Sequence, residues 1–477
     1  MRITNAMTTN RLLLNINRNA RSAERFMMQL TSGKVIQNPS DNPIIASRAL
    51  RFRTNVSEVA QFQRNATQAN SWMELTEEAL NNTTNIMTNI NSMLVQGATG
   101  TFTIAQRQTI VTEIQMLFQQ INSAEMNATF AGRYLFSGFR TDRPPIITRD
   151  NIFPPDGNEF YCITKSVNRN DIESLGVMSW RDNSTVPPTL VKMASPEFIA
   201  NHPELPWTAT ATPASVHKIK LPYVHTDERR VDTPDIPGFT INRIYRDNTD
   251  GENPYLLSGP GIINFIPETG ELIIHPDDLA LFEGGLEVHY DVFGVLEGEL
   301  NPTIFFNTIH TRPDGDTFFN AESQEIRFEL GTNVNLPINS QARDAYPWQF
   351  FSDLQSLYNF VLSAGIDSDA TPEEAVQQES FFREALYQKF TNMMSAMERH
   401  MQHTSTEFTT LGSRMNRVEL ISNRLDENYD TFTNLMSENE NIDFIEVMLR
   451  FNAAEAIFQA AMQIGARIAQ VSIVNFI

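Results

Sequence analysis

His400 and His403 stand three residues apart, with Glu398 and Glu407 close by. On a helix that spacing puts both imidazoles on one side, where they could hold a divalent metal. The same residues on the outer side of a helix make a solvated polar face, and that reading is adopted. Asp314-Gly315-Asp316 with Glu322 has the residue types of a calcium loop but lacks the EF-hand ligand spacing, so it reads as a turn. Cys162, the only cysteine, lies in the strand-like EFYCIT and reads as a packed thiol rather than a nucleophile. No nucleophile elbow and no glycine-rich phosphate loop occurs. No catalytic, cofactor-binding or metal-binding residue is therefore assigned, and the chain is read as a non-enzyme.

Charge and composition narrow the class further. The chain has 477 residues, 41% of them hydrophobic, and a net charge of −21. That length supports several domains with a sizeable core. An excess of acid argues against a nucleic-acid partner, because phosphate binding needs clustered Lys and Arg. One cysteine precludes an intrachain disulfide framework. No run of about 18 apolar residues is present, so no membrane span is expected. The opening MRITNAMTTNRLLLNINRNA lacks the apolar stretch of a cleaved secretory signal.

Proline divides the chain. All but Pro39 and Pro43 of its 24 prolines lie between Pro144 and Pro372. Since proline breaks helix interiors and central strands, the ends are expected to be helical and the middle rich in strands and loops. The expected fold is mainly α: long N- and C-terminal helices pairing as a coiled-coil bundle, with an inserted β-rich or α+β middle.

From Tyr387 to Met436 a heptad runs with Tyr387, Met394, Met401, Phe408, Met415, Ser422, Tyr429 and Met436 at a. Phe390, Met397, Thr404, Leu411, Val418, Leu425 and Phe432 fall at d. Uninterrupted by proline, it predicts one helix of about 75 Å that needs a partner of similar length. The N-terminal side offers one. Residues 1–30 carry a heptad with Leu13 and Met27 at a and Ile16 and Leu30 at d. Gly33 then suits a helix end, and Asn42-Pro43 a helix start. A second long helix runs from Pro43 towards Gln96 and includes Trp72, and a third carries Ile110, Ile114, Leu117 and Ile121 on one face.

In the middle, GIINFIPETGELIIH (261–275) reads as two strands around a turn. Leu286, Val288, Tyr290 and Val292 alternate as another strand, as do Ile326, Phe328 and Leu330. Phe350, Leu354, Leu357 and Val361 suggest a short amphipathic helix. Thr371-Pro372-Glu373-Glu374 is a capping-box start for the return helix. The expected divisions are 1–42 (N-terminal core helix and turn), 43–139 (long bundle helices), 140–370 (the insertion), 371–442 (the return helix) and 443–477 (a C-terminal core helix).

The last helix is apolar almost all round, with Phe451, Phe458 and Ile468 among many apolar residues. Such a helix must be buried on every side, either inside its own chain or by another molecule. Residues 1–34 hold Arg2, Arg11, Arg18, Arg21, Arg25 and Lys34 against Glu24 alone. Residues 426–446 hold Asp426, Glu427, Asp430, Glu438, Glu440, Asp443 and Glu446 with no basic residue. These blocks either meet, within one chain or between neighbours, or form two independent solvated faces. The packing candidates are Leu13, Ile16, Met27, Leu30, Trp72, Met415, Val418, Leu425, Phe432, Phe451, Phe458 and Ile468.

QLTSGKVIQNPSDNPIIASRALRFR resembles the N-terminal signature of the flagellin superfamily. With SWMELTEEALNNTTNIMTNINSMLVQGATG and the returning LGSRMNRVELISNRL, it looks like the hook–filament junction branch of that family. Filament flagellins tend to carry a DDAAG-like turn where this chain has Asp41-Asn42-Pro43. They also tend to end in a QAN-containing stretch, where this chain has RIAQVSIVNFI. Both departures favour the junction branch. The resemblance covers about 1–140 and 375–477, and the middle lies outside it.

It implies a structural adaptor in the bacterial flagellum at the hook–filament junction, secreted, or periplasmic if the flagellum is internal. The chain would be exported unfolded by the flagellar type III apparatus and assemble as a ring through its terminal helices. Implied partners are the first hook-associated protein, flagellin, copies of itself and a flagellar export chaperone on the C-terminal helix, with no cofactor. The alternatives are a filament-forming flagellin and a surface adhesin that uses the middle domain.

Overall fold

A computed structural model describes residues 5–149, 160–167, 169–175, 177–182, 189–194, 216–223, 231–245, 247–248, 252–283, 285–313, 315–322, 324–364 and 372–474. The long helices are α1 (Asn5–Ser32), α2 (Pro43–Gly97), α3 (Ile104–Gln120), α4 (Trp348–Ser363), α5 (Pro372–Glu440) and α6 (Phe444–Val474). The protein is mainly α, with long terminal helices and a β-containing middle. It divides into a terminal unit (1–68, 329–335 and 417–477) and a central unit (69–328 and 336–416).

In the terminal unit, local chemistry sets the helix ends. Gly33 takes φ +67°, and its N–H returns to the Gln29 carbonyl at 2.8 Å, which stops α1. Asn42 Oδ1 then accepts from the N–H groups of Ile44 (3.1 Å) and Ile45 (3.3 Å), and Pro43 occupies the first helical position of α2. Asp443 Oδ1 caps α6 in the same way, accepting from Ile445 (3.0 Å) and Glu446 (3.1 Å). The two turns meet. Val35 N–H donates to the Glu440 carbonyl at 2.8 Å, and Ile442 N–H to the Gly33 carbonyl at 3.1 Å. The end of α1 thus lies at the start of α6, and the two helices pack together antiparallel.

The central unit contains the larger core. Its aromatic cluster joins Phe118 of α3 to Phe350 and Phe351 of α4, at 5.8 and 5.5 Å between ring centroids. Phe305 and Phe306 extend the cluster to Phe351 and Trp348. Here α2 and α5 approach so closely that a Cβ on Gly97 would stand 2.3 Å from the Phe390 ring. Arg107 is fully buried, and its guanidinium donates to three carbonyls, those of Gly97, Thr99 and Arg383. It satisfies the C-terminal end of α2, whose last carbonyls lack helical partners.

The strands are β1 (Thr129–Phe130), β2 (Arg133–Tyr134), β3 (Phe160–Ser166), β4 (Ile172–Leu175), β5 (Val177–Asp182), β6 (Thr189–Ala194), β7 (Val216–Lys220) and β8 (Thr240–Arg243). After these come β9 (Asp247–Asn248), β10 (Ile262–Ile266), β11 (Glu271–Ile274), β12 (Glu287–Val292), β13 (Asn307–Thr311), β14 (Thr317–Phe319), β15 (Arg327–Gly331) and β16 (Val334–Pro337). They form sheets ordered β4-β7-β11-β10-β8, β12-β3-β13-β14 and β6-β5-β9, plus two hairpins. The expected hairpin at 261–275 is β10–β11, with Ile266 opposite Glu271. The alternation expected at 286–292 is β12, which buries Val288, Tyr290 and Val292. Of the expected calcium-like turn, Asp314 lies outside the described residues, as does Thr371 of the expected capping box.

Two expectations about α5 need correction. The heptad seam places a and d inward, yet in α5 the d column and the column just before a are the buried ones. Phe390, Met397, Thr404, Leu411, Val418 and Leu425 are buried, as are Leu386, Met393, His400 and Ile421. Most a residues, Met401 and Met415 among them, are only half-buried, and Tyr387 is exposed. The column that replaces them carries His400, Glu407 and Arg414, so hydrophobicity alone reads it as solvent-facing. Each finds a polar partner instead. His400 Nε2 lies 3.0 Å from Asp353 Oδ2, Ser340 Oγ donates to Glu407 at 2.6 Å, and Arg414 donates to the Asn339 carbonyl at 3.1 Å. His400 is thus not part of a solvated face, although His403 is exposed.

Candidate functional site

The feature that stands out in the terminal unit is apolar surface left uncovered. Among the described side chains of α6 the half-buried positions are Val447, Phe451, Ala454, Phe458, Ala461 and Gly465, spaced four and three apart. On α1 the apolar ones are Ile16, Ala20, Ala23, Phe26 and Leu30. This spacing marks the single stripe that each helix turns to the other. Among the described side chains of α6 the other large apolar residues face out: Ile445 is 73% exposed, Leu449 65%, Ile457 56% and Ile464 53%. On α1 Leu13 is 52% exposed and Met27 59%. Exposed apolar surface on this scale marks a site of association.

The packing candidates therefore separate. Ile16, Leu30, Phe451 and Phe458 lie on the α1–α6 stripe. Leu13 and Met27 lie off it, exposed. Val418 and Leu425 are buried in the terminal unit, and Phe432 is half-buried there. Trp72 and Met415 belong to the central unit, where Trp72 is buried edge-to-face on Phe130 at 5.8 Å. The side chain of Ile468 lies outside the described residues.

A charged knot fixes the start of this surface. Glu440 accepts two hydrogen bonds from Arg53, Nε to Oε1 at 2.6 Å and Nη2 to Oε2 at 2.7 Å, and a third from Lys34 Nζ at 3.2 Å. The paired geometry is the strong form of an Arg–carboxylate contact. Arg53's hydrogen bonds, aided by Lys34, hold the Glu440 carboxyl below the ordinary glutamate value despite its burial. Of the two opposite charge blocks, Lys34 and Glu440 thus meet within one chain. Arg11, Arg18, Arg21 and Arg25 lie exposed along α1, and Glu446 pairs with Arg450 on its own helix. The knot escaped sequence reasoning because Glu440 is one acid in an acidic run and Arg53 lies outside the basic block. Only the helix break that follows Glu440 hinted that it mattered.

The central unit holds a second charged set, fully enclosed. Lys220 of β7 donates to Asp353 of α4 at 2.8 Å, and Asp353 also binds His400 of α5. Burial alone raises the Asp353 carboxyl, but Lys220 and His400 outweigh it and hold it well below the usual carboxylate range. Lys218 donates to Glu271 at 2.6 Å, and Lys165 pairs with Asp171 at 3.3 Å while lying over Trp348. Burial, with Lys220 and Lys218 nearby, pushes the Lys389 amine down to about 7. These contacts tie a sheet to two helices. They reach no nucleophile, and among the described residues no group of three or more metal-ligating side chains converges. Cys162 is paired across strands with Asp291, and burial plus that carboxylate raise its thiol to about 11. No described helix is long and apolar enough to cross a membrane.

These terminal helices match two known family models. Residues 3–141 match the bacterial flagellin N-terminal helical region, and residues 394–477 match the bacterial flagellin C-terminal helical region. The two ends of the chain are thus similar to flagellin helical regions. Its homologues include flagellar hook-associated protein 3 of Escherichia coli (strain K12), 30% identical over 121 residues, which is 25% of this chain and 38% of that protein. Phase 1 flagellin of Salmonella naestved is 26% identical over 171 residues, 35% of this chain and 32% of that one. The chain therefore spans less than two fifths of the length of these curated relatives. Among solved structures, a putative flagellar hook-associated protein from Vibrio parahaemolyticus aligns with 84% of this chain and 100% of its own, at 11% identity and a TM-score of 0.38.

Proposed function

We propose that this chain is a structural, non-enzymatic flagellar adaptor that joins the hook, through the first hook-associated protein, to the flagellin filament. The observation that carries this reading is α6: apolar almost all round, with one stripe covered by α1 and the other large apolar side chains exposed among those described. Copies of the chain would bury that surface against one another in a ring, each Å2 of apolar area contributing about 25 cal/mol. A heterologous ring presents different surfaces on its two faces, as an adaptor between unlike partners requires. Before assembly the same helix needs cover, and an export chaperone during type III secretion would supply it. Homologues named hook-associated protein 3 support the reading. Of the packing candidates, Leu13 and Met27 would act here towards neighbours and Ile16, Leu30, Phe451 and Phe458 within the pair.

Deleting residues 443–477 tests the proposal. The truncated chain should retain the folded central unit, seen by its cooperative unfolding, and fail to form junctions in a strain lacking the full-length protein. Junctions that still form would refute terminal-helix packing. The match to phase 1 flagellin favours a second reading, a filament subunit. Copy number per flagellum separates the two.

A further inference from the structure

The terminal unit carries two stripes of charge that its own folding leaves unpaired. At about 100° per residue, Arg11, Arg18, Arg21 and Arg25 of α1 fall within about 80° of one another. Their stripe lies about half a turn from Ile16 and Leu30, which mark the side of α1 that packs on α6. All four arginines are exposed, and among the described residues none of their side chains makes a hydrogen bond or an ion pair. Arg25 acts on Asp41 only from a distance, and Glu24, the one acid of the helix, falls off the stripe. Leu14 lies within it, 65% exposed.

A stripe of opposite sign runs along the end of α5. Glu427, Asp430 and Glu438 fall within about 80° of one another, about half a turn from the buried Leu425. They too are exposed with no hydrogen bond or ion pair among the described residues, and no basic residue follows Arg424 on this helix. Asp426, beside the stripe, is instead taken by Gln63 Nε2 at 2.7 Å. Leu420 extends the stripe, 71% exposed. Arg18, Arg21 and Arg25 stand three and four residues apart, and Glu427 and Asp430 three apart, spacings at which like charges destabilise a helix. Each stripe is therefore unfavourable alone. Among the described residues, the basic and acidic blocks of one chain are joined only at Lys34 and Glu440.

We propose that the arginine stripe of α1 docks on the carboxylate stripe of α5 in a second copy of this chain. Charge selects the occupant, since every copy carries one stripe of each sign. Length agrees: at 1.5 Å per residue, Arg11 to Arg25 spans about 21 Å and Glu427 to Glu438 about 17 Å. The two surfaces differ, so the contact is heterologous and passes from copy to copy. Opposed charges set partner and register, and Leu14 and Leu420 add apolar area beside them. This rests on the reading that copies of the chain assemble, and it adds which faces meet.

Cross-linking of the full-length chain with a short bis-maleimide, in a Cys162→Ser background, tests the pairing. One batch carries Leu14→Cys and another Asn434→Cys, both at exposed positions on the stripes. The mixture should give covalent dimer well above either batch alone, with a yield that falls as salt rises. Arg18→Glu with Arg21→Glu in the first batch should lower that yield about tenfold or more. Adding Glu427→Arg with Asp430→Arg to the second batch should restore it. Arg399→Glu, at an exposed position on α5 away from the stripe, should leave it unchanged. A mixture that gives no more dimer than the single batches, or a yield indifferent to the reversals, overturns the proposal. The readout needs no flagellum. Junctions that still form with Arg18→Glu and Arg21→Glu would overturn the stripe pairing and leave the adaptor reading standing. Mixed dimer from a chain absent from junctions would uphold the pairing and refute the adaptor.

Discussion

The two units use apolar residues in opposite ways. The central unit encloses most of its large apolar side chains, with Phe136, Phe350, Phe381 and Phe390 all at or below 2% exposure, although Phe139 and Phe318 lie at its surface. The terminal unit displays them, with Leu449, Ile445 and Leu13 all more than half exposed. One unit completes its core within the chain, while the other leaves apolar faces of its helices uncovered. Polar contacts differ in the same sense. The central unit encloses its charges, whereas the Glu440 knot draws on Arg53 and Lys34, both of which remain largely exposed.

Substitutions in the two units should therefore fail differently. Asp353→Asn has the largest expected effect on stability. It leaves Lys220 and His400 enclosed without their carboxylate, which costs about 3–5 kcal/mol, read as a lower midpoint in chemical unfolding. An unchanged midpoint would mean the enclosed charges do not hold the sheet to its helices. Glu440→Gln should cost less, about 1 kcal/mol, because its partners are solvent-screened. The sign of its pH dependence follows from the lowered carboxyl. The contribution is intact above the ordinary value of 4.5 and is lost as pH falls below it through the depressed folded value. Equal stability profiles for wild type and Glu440→Gln between pH 3 and 6 would contradict this. Leu449→Ser should have the smallest effect on the isolated chain, within about 0.5 kcal/mol, and yet abolish junction formation. A large loss of monomer stability would place Leu449 in a core instead of on a surface.

Where local chemistry decides structure, the sequence was readable. Asn42-Pro43 starts α2, Gly33 ends α1, and the proline-poor ends are helical. β12 follows its apolar alternation, and β10 and β11 are the two apolar runs on either side of the PETG turn. The α5 seam was misjudged because burial there depends on partners distant in sequence. His400 goes inside because Asp353 meets it, and Glu407 because Ser340 does. Arg107 is buried for a similar reason, with three carbonyls receiving its donors. A hydrophobic pattern registers none of this. For the packing candidates the pattern identified apolar residues but not their direction. Leu13 and Ile16 look alike in the heptad, yet Leu13 faces outward and Ile16 lies on the α1–α6 stripe.

The most direct test of the junction role is quantitative mass spectrometry of sheared, purified flagella. The account predicts a trace copy number, comparable to the hook-associated proteins and far below flagellin. An abundance comparable to the major filament protein would contradict it and make this chain a filament subunit.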